Sequence, residues 1–371
     1  MLTIFRKMNR TLLAILLVPA LAISITSCST KSITQPQAKN IIFLIGDGMG
    51  LHQVYAAYTV NGGSLDMMRA THVGLQTNYS ANRYITDSAA SGTALACGKK
   101  TNNGMIGMDT ARNELESILK VAERNGMATG LVSSSAITHA TPASFIANEV
   151  SRNDYEAIAA DFLTTDIDVF IGGGLDHFTK REDGRDLTKE LEAKGYSVAT
   201  DISQLAAHTS GKLAALTAPV HNPNMLEGRD EMLPFATGKA LELLKQDGNG
   251  FFVMIEGSQI DWGGHANDEE YVLQETLDFD AAVKVALDFA EQDGETLVVV
   301  TADHETGGMM ILKGNIEEKS VETTFTTGGH TGIIIPVFAY GPGAELFTGF
   351  YDNTDFKAKF MQALGISDME E

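Results

Sequence analysis

Residues 40–50 read NIIFLIGDGMG, a short apolar run that passes straight into Gly46, Asp47 and Gly48. A continuous apolar run bounded by glycine is the pattern of a strand buried on both faces. Here it ends on a carboxylate, Asp47. The pattern recurs. Residues 129–132 (TGLV) lead into a serine cluster, and 168–171 (DVFI) end in three glycines. Residues 251–255 (FFVMI) end at Glu256, 297–300 (LVVV) at TADHE, and 333–340 (IIIPVFAY) at Gly-Pro-Gly. Helical patterns lie between them, over 114–125, 142–150, 186–194, 234–246 and 269–291. Strands alternating with helices predict an α/β fold with a central, mostly parallel sheet and helices on both faces. In such sheets ligands collect beyond the carboxyl ends of the strands. Residues 176–231 have a weaker pattern and read as an insertion that covers the edge of the site, within a single domain over 40–371. No internal repeat is evident.

The 371 residues carry a formal charge of -21, with 44% hydrophobic and 20% charged residues. So acidic a chain does not suit nucleic acid as a partner, because binding to phosphate backbone needs clustered Lys and Arg. If its substrate is an anion, local positive charge must come from elsewhere, and metal ions are the natural source. The N-terminus reads as a leader over 1–27: Arg6, Lys7 and Arg10, then a largely apolar region of 15 residues over 11–25, too short for a comfortable bilayer span of ~20 residues. Ile25-Thr26-Ser27-Cys28 resembles a bacterial lipobox, which makes Cys28 the expected lipidation site. A plain signal peptide with a chance cysteine is the simpler alternative. Residues 28–39 are polar and read as a tether. The expected product is an exported lipoprotein, periplasmic or on the cell surface, touching the membrane only through its lipid. The chain has two cysteines. With Cys28 lipidated, Cys97 has no partner and reads as a small buried hydrophobe.

The acidic and histidine residues next to strand ends form the first chemical signal. Asp47 follows the first strand, and Glu256 a later one, with Asp261 and His265 shortly after it in EGSQIDWGGH. Asp303 and His304 follow LVVV, and His330 sits in TTGGHTG. Imidazole plus carboxylate without thiolate suits Zn²⁺. A Thr hydroxyl with carboxylates suits a harder ion such as Mg²⁺. Taken singly, each residue is better explained as a cap or a surface turn; the case rests on their joint placement. His52, His72, His177, His208 and His221 lack a carboxylate at ligand-like spacing and read as structural or surface.

Thr86-Asp87-Ser88 followed by AASGTA places Ser88 at or near a helix N-terminus, where free amides and the dipole favour phosphate and an alkoxide. An ordinary helix cap explains the same residues. Thr141 before Pro142 reads as an N-cap with Pro at the first helical position. Arg152 is either a solvated surface charge or a planar fork for two phosphate oxygens.

GDGMG, TDSAASGTA, ITHATPA with VSR downstream, EGSQIDWGGH, TADHETGG and GGHTG occur in the order and approximate spacing of the alkaline phosphatases. The chain resembles that family from residue 40 to its C-terminal segment, and most closely its compact bacterial members. The resemblance implies an alkaline phosphatase-like fold and hydrolysis of small phosphate monoesters with broad specificity through a phosphoserine on Ser88. It implies two Zn²⁺ and one Mg²⁺ per chain. One zinc falls to Asp261, His265 and His330, and the other to Asp47, Asp303 and His304 beside Ser88. Mg²⁺ falls to Asp47, Thr141 and Glu256, and Arg152 clamps the phosphate. A homodimer is implied too. Two positions depart from the best-known branch: His139 replaces an Asp near the Mg²⁺, and Trp262 replaces a Lys near the phosphate. Trp262 reads equally well as a packing residue on the site wall.

Sulfatases of related fold need a C/S-x-P-x-R context, which Ser88-Ala89-Ala90-Ser91 lacks. A phosphodiesterase of the same superfamily, and a surface lipoprotein that binds phosphate or metal without turnover, are the alternative readings.

Overall fold

The computed structural model describes residues 37–367, so the leader, Cys28 and most of the tether lie outside the described residues. Fourteen strands are described. They are β1 (Asn40–Gly46), β2 (His72–Thr77), β3 (Ala128–Ala136), β4 (Val169–Gly173), β5 (Ser197–Ala199), β6 (Leu213–Leu216) and β7 (Phe251–Gly257). They continue with β8 (Thr296–Thr301), β9 (Glu305–Thr306), β10 (Met310–Asn315), β11 (Ser320–Thr324), β12 (His330–Thr331), β13 (Ile335–Tyr340) and β14 (Gly349–Asp352). Ten form one sheet in the order β14-β2-β13-β8-β1-β7-β3-β4-β6-β5. Neighbours pair in parallel, except that β13 runs antiparallel to both β2 and β8.

β1 is buried along its whole length. Its side chains alternate between the two faces, as the pleat requires. Ile41, Phe43 and Ile45 enter one core, which also holds residues of the helices Ser88–Cys97, Ile118–Arg124, Ala140–Ile146 and Asp355–Leu364. Ile42 and Leu44 enter the other, with residues of Leu51–Val60, Met232–Leu244 and Glu269–Asp293. Helices therefore cover both faces, as the apolar runs predict. No helix among the described residues is long and apolar enough to cross a membrane. Cys97 is buried and unpaired, and burial pushes its thiol up to about 12.

Residues 176–231, read as an insertion, supply β5 and β6, which extend the main sheet beyond β4. These strands have three and four residues, too few for a periodic signal to stand out. Thr141 is not an N-cap. His139 takes that place in the helix Ala140–Ile146, and Pro142 falls in the first turn, where its missing N–H costs no intrahelical bond.

Candidate metal centre

Every acidic or histidine residue singled out above lies at the carboxyl edge of the central strands. Asp47 follows β1, Glu256 lies near the end of β7, and Asp303 and His304 follow β8. Asp261 and His265 sit one turn apart on the helix Gln259–Ala266, and His330 lies on β12. The turn after β1 needs glycine. Gly48 has φ +78°, and a Cβ there would come within 2.6 Å of Asp261 Cα. That close approach brings the Asp47 turn against the Asp261 helix.

The donor atoms fall into three groups: Asp261, His265 and His330; Asp47, Asp303 and His304; and Asp47, His139 and Glu256. In the first, His265 Nε2 and His330 Nε2 lie 3.3 and 3.4 Å from Asp261 Oδ1 and 3.2 Å from each other. In the second, His304 Nε2 lies 3.2 Å from Asp303 Oδ2, 3.4 Å from Asp47 Oδ1 and 3.2 Å from Ser88 Oγ. Asp47 belongs to two groups and thereby joins them.

Each imidazole is oriented through its other nitrogen. His265 Nδ1 meets Gly328 O at 2.7 Å, and His330 Nδ1 meets Thr86 O at 2.9 Å. A carbonyl only accepts, so both rings donate through Nδ1, which leaves the Nε2 lone pairs turned inward. Two lone pairs 3.2 Å apart repel unless a proton or a cation lies between them.

Buried charge makes the same demand. Asp47, Glu256, Asp303 and His304 are fully buried. Among the described residues, no well-formed hydrogen bond reaches either Asp47 oxygen, Asp303 Oδ2, Glu256 Oε1, Thr141 Oγ1 or His139 Nδ1. Burial and the neighbouring carboxylates push Asp47 well above its ordinary range. Glu256 rises to about 7 and Asp303 to about 6, chiefly through burial. Burial holds His304 well below its ordinary value and His139 down at about 3. Asp261 goes the other way: burial pushes it upward, but the His265 and His330 rings beside its carboxylate outweigh that and hold it low. Crowded carboxylates and neutral imidazoles with orphaned inward atoms fit divalent cations.

Ser88 is the first residue of the helix Ser88–Cys97, and Asp87 caps that helix by accepting from Ala90 N at 3.0 Å. The catalytic and the capping explanations of this stretch are therefore compatible. The other Asp87 oxygen receives Gly104 N at 3.0 Å and Arg152 Nη1 at 3.2 Å. Arg152 Nη2 lies 3.4 Å from His139 Nε2. Trp262 meets His139 and His221 edge-on, with ring centroids 6.0 and 4.8 Å away. His221, read from sequence as structural or surface, thus packs against the site wall.

Other contributors carry no sequence signal of their own. Ser133 and Ser258 donate to Glu256 Oε2 at 2.7 and 2.6 Å, which leaves Oε1 as the unbonded oxygen. Thr306 is fully buried and pairs with His330 between β9 and β12. Its hydroxyl donates to Asp261 Oδ1 and lies 3.3 Å from His304 Nδ1. One hydroxyl thus links the two histidine-bearing groups. Thr306→Val, which keeps the shape and removes the hydroxyl, is expected to weaken divalent-cation binding by about 10–100-fold. Thr306→Ser is expected to restore it. A zinc titration of both variants checks this, and an unchanged affinity in Thr306→Val would show that the link does not matter.

The sequence profile of the alkaline phosphatases matches residues 38–321. Alkaline phosphatase 3 of Bacillus subtilis is 35% identical, over 90% of this chain and 90% of its own length. The structure of the alkaline phosphatase from the Antarctic bacterium TAB5 superposes with a TM-score of 0.85 at 40% identity, covering 90% of this chain and all of that one. A His-to-Asp variant of that enzyme, with Mg bound in its M3 site, matches equally well.

Proposed function

Because the chain belongs to the alkaline phosphatase family, we propose that it hydrolyses phosphate monoesters in two displacements, with Ser88 taking the phosphoryl group and then yielding it to water. The observation that carries this is the position of Ser88 Oγ, 3.2 Å from the His304 nitrogen that also faces Asp47 and Asp303. Two Zn²⁺ at the histidine-bearing groups and one Mg²⁺ at Asp47, Thr141 and Glu256 would neutralise phosphate charge and stabilise the entering and leaving oxygens.

The protein's own residues do the rest. The start of the helix Ser88–Cys97 turns its free amides and positive dipole end toward the phosphate and favours the Ser88 alkoxide. Asp87 holds Arg152 at one nitrogen, leaving the fork able to reach phosphate oxygens. Burial of Ser88, Asp47, Asp303 and His304 keeps bulk water from screening these charges. His139 replaces a carboxylate by a softer, neutral donor in the third group, so Mg²⁺ would be held less firmly there.

Release of p-nitrophenol from its phosphate monoester at alkaline pH is expected to stop with EDTA and to return with Zn²⁺ plus Mg²⁺. Faster cleavage of bis(p-nitrophenyl) phosphate than of the monoester would instead favour a phosphodiesterase. Tight metal and phosphate binding with no turnover would favour the non-catalytic reading.

A further inference from the structure

The imidazoles of the three donor groups are not held alike. His265 and His330 each donate through Nδ1 to a backbone carbonyl, which leaves Nε2 bare, as a ligand must be. His304 Nδ1 lies beside the Thr306 hydroxyl, and its Nε2 faces Asp47, Asp303 and Ser88. His139 has neither arrangement. Its Nε2 lies 3.4 Å from Arg152 Nη2, and its Nδ1 is buried with no partner among the described residues. A guanidinium only donates, so Nε2 is the bare nitrogen here and Nδ1 carries the ring's hydrogen.

Arg152 is engaged at both ends of its fork. Nη1 donates to Asp87 Oδ2 at 3.2 Å, and Asp87 is itself fixed by Ala90 N and Gly104 N. The Arg152 backbone is pinned as well, its N–H donating to Gly104 O at 2.8 Å. Nη2, the terminal nitrogen left for a phosphate oxygen, is the one that faces His139. The His139 ring has little room to turn away. It is buried at the start of the helix Ala140–Ile146, and Trp262 and His221 meet it edge-on. His221 in turn is fixed by Ala136 N, which donates to its Nδ1 at 3.2 Å.

A guanidinium resting on a neighbouring ring needs no further role. Here both groups have a second use, because His139 also belongs to the third donor group with Asp47 and Glu256. A neutral imidazole has one lone pair and one hydrogen on its two ring nitrogens. A cation bound at Nε2 takes the lone pair that Arg152 uses. A cation bound at Nδ1 needs that nitrogen bare, which puts the hydrogen on Nε2 and sets it against the Arg152 N–H. Both routes end the Arg152 contact, and neither adds or removes a proton. We infer that His139 is a positioning residue with two mutually exclusive partners: it holds Arg152 Nη2 against the site wall, and ligation of a divalent cation in the third group releases that nitrogen to phosphate. The phosphate end of this exchange rests on the phosphatase reading above. Coupling is reciprocal, so phosphate that draws Arg152 off the ring tightens the third cation by the same factor.

Calorimetric titration of inorganic phosphate into protein carrying Zn²⁺ at the His265 and His304 groups, with and without Mg²⁺, tests this. His139 makes no capping bond to its helix, so alanine there leaves the helix intact. Without Mg²⁺, His139→Ala is expected to tighten phosphate binding about tenfold, the scale of one hydrogen bond from a charged donor. With Arg152→Ala already in place, the same change is expected to shift it by less than about twofold. Mg²⁺ is expected to tighten phosphate binding about tenfold more in the unmodified protein than in His139→Ala. A merely structural role for His139 gives the opposite sign, weaker phosphate binding in the variant. Trp262 is the chain's one tryptophan, so its emission shows whether the wall beside residue 139 survives the substitution. Weaker or unchanged phosphate binding in His139→Ala, with Trp262 emission unaltered, would overturn the exclusion. If the emission changes, the Mg²⁺ response decides: a gain in phosphate affinity that Arg152→Ala leaves undiminished would overturn it too. Failure of the zinc-loaded, unmodified protein to bind phosphate would overturn the phosphatase reading itself.

Discussion

Ser88→Ala is expected to lower kcat/KM for p-nitrophenyl phosphate by about 10⁴- to 10⁶-fold, the scale on which hydrolases lose activity with their nucleophile. Ser88 is the first residue of its helix and the cap belongs to Asp87, so losing the hydroxyl leaves the capping bond in place. The side chain is almost fully buried but small, and alanine fits the same space. Zinc content and thermal unfolding should therefore hardly change, and the loss would be chemical. Trapping labelled phosphate on the protein after an acid quench separates the steps: label is expected on the unmodified chain and none on the variant. A variant within about tenfold of the unmodified protein would remove Ser88 from the reaction.

Asp47→Asn is expected to have two effects of opposite sign. Asp47 contributes to both the Asp303–His304 group and the Glu256 group, so one substitution weakens two metal positions and spares the Asp261–His265–His330 group. Metal analysis should show that selective loss, with activity falling as severely as in the nucleophile variant. In the metal-free protein the same change is expected to stabilise. Burial and the carboxylates Asp303, Asp261 and Glu256 raise the folded-state pKa of Asp47 above 3.8. A raised carboxyl pKa means that the folded state binds the proton more tightly than the unfolded chain. Its stability is then fully present below 3.8 and declines as pH rises through the folded-state value. Asparagine has no charge to bury. With EDTA present, Asp47→Asn should melt higher than the unmodified protein at alkaline pH, and the gap should narrow toward pH 4. A metal-free variant that melts lower at alkaline pH would mean that the carboxylate cluster is not strained without cations.

The candidate site was legible in the chain to an unusual degree because its ligands are tied to strand ends. A buried strand announces itself by an apolar run, and the first polar residues beyond it stand at the sheet's carboxyl edge. Asp47, Glu256, Asp303 and His304 could be placed that way without a contact being known. What supports those ligands was not legible. Thr306, Ser133 and the carbonyls of Gly328 and Thr86 act through hydrogen bonds across long stretches of chain, and Ser258 across two residues. Serine, threonine and backbone carbonyls occur throughout any sequence, so nothing local marks them.

The fold divides along the same line. β2 reads HVGLQT and alternates between burial and exposure, yet it lies between β13 and β14. Buried Gln76 compensates there, donating to Thr301 Oγ1 at 2.7 Å and to Ala302 O at 2.8 Å. The sequence alone determined which strands form the buried centre of the sheet and which side chains face its carboxyl edge, because hydrophobic burial and strand geometry act over a few neighbouring residues. Tertiary structure alone decided strand order, the direction of β13, the inward turn of the ligand imidazoles and the seating of Arg152 between Asp87 and His139. Those depend on hydrogen bonds and packing between residues tens to hundreds of positions apart, and no local pattern encodes such pairings.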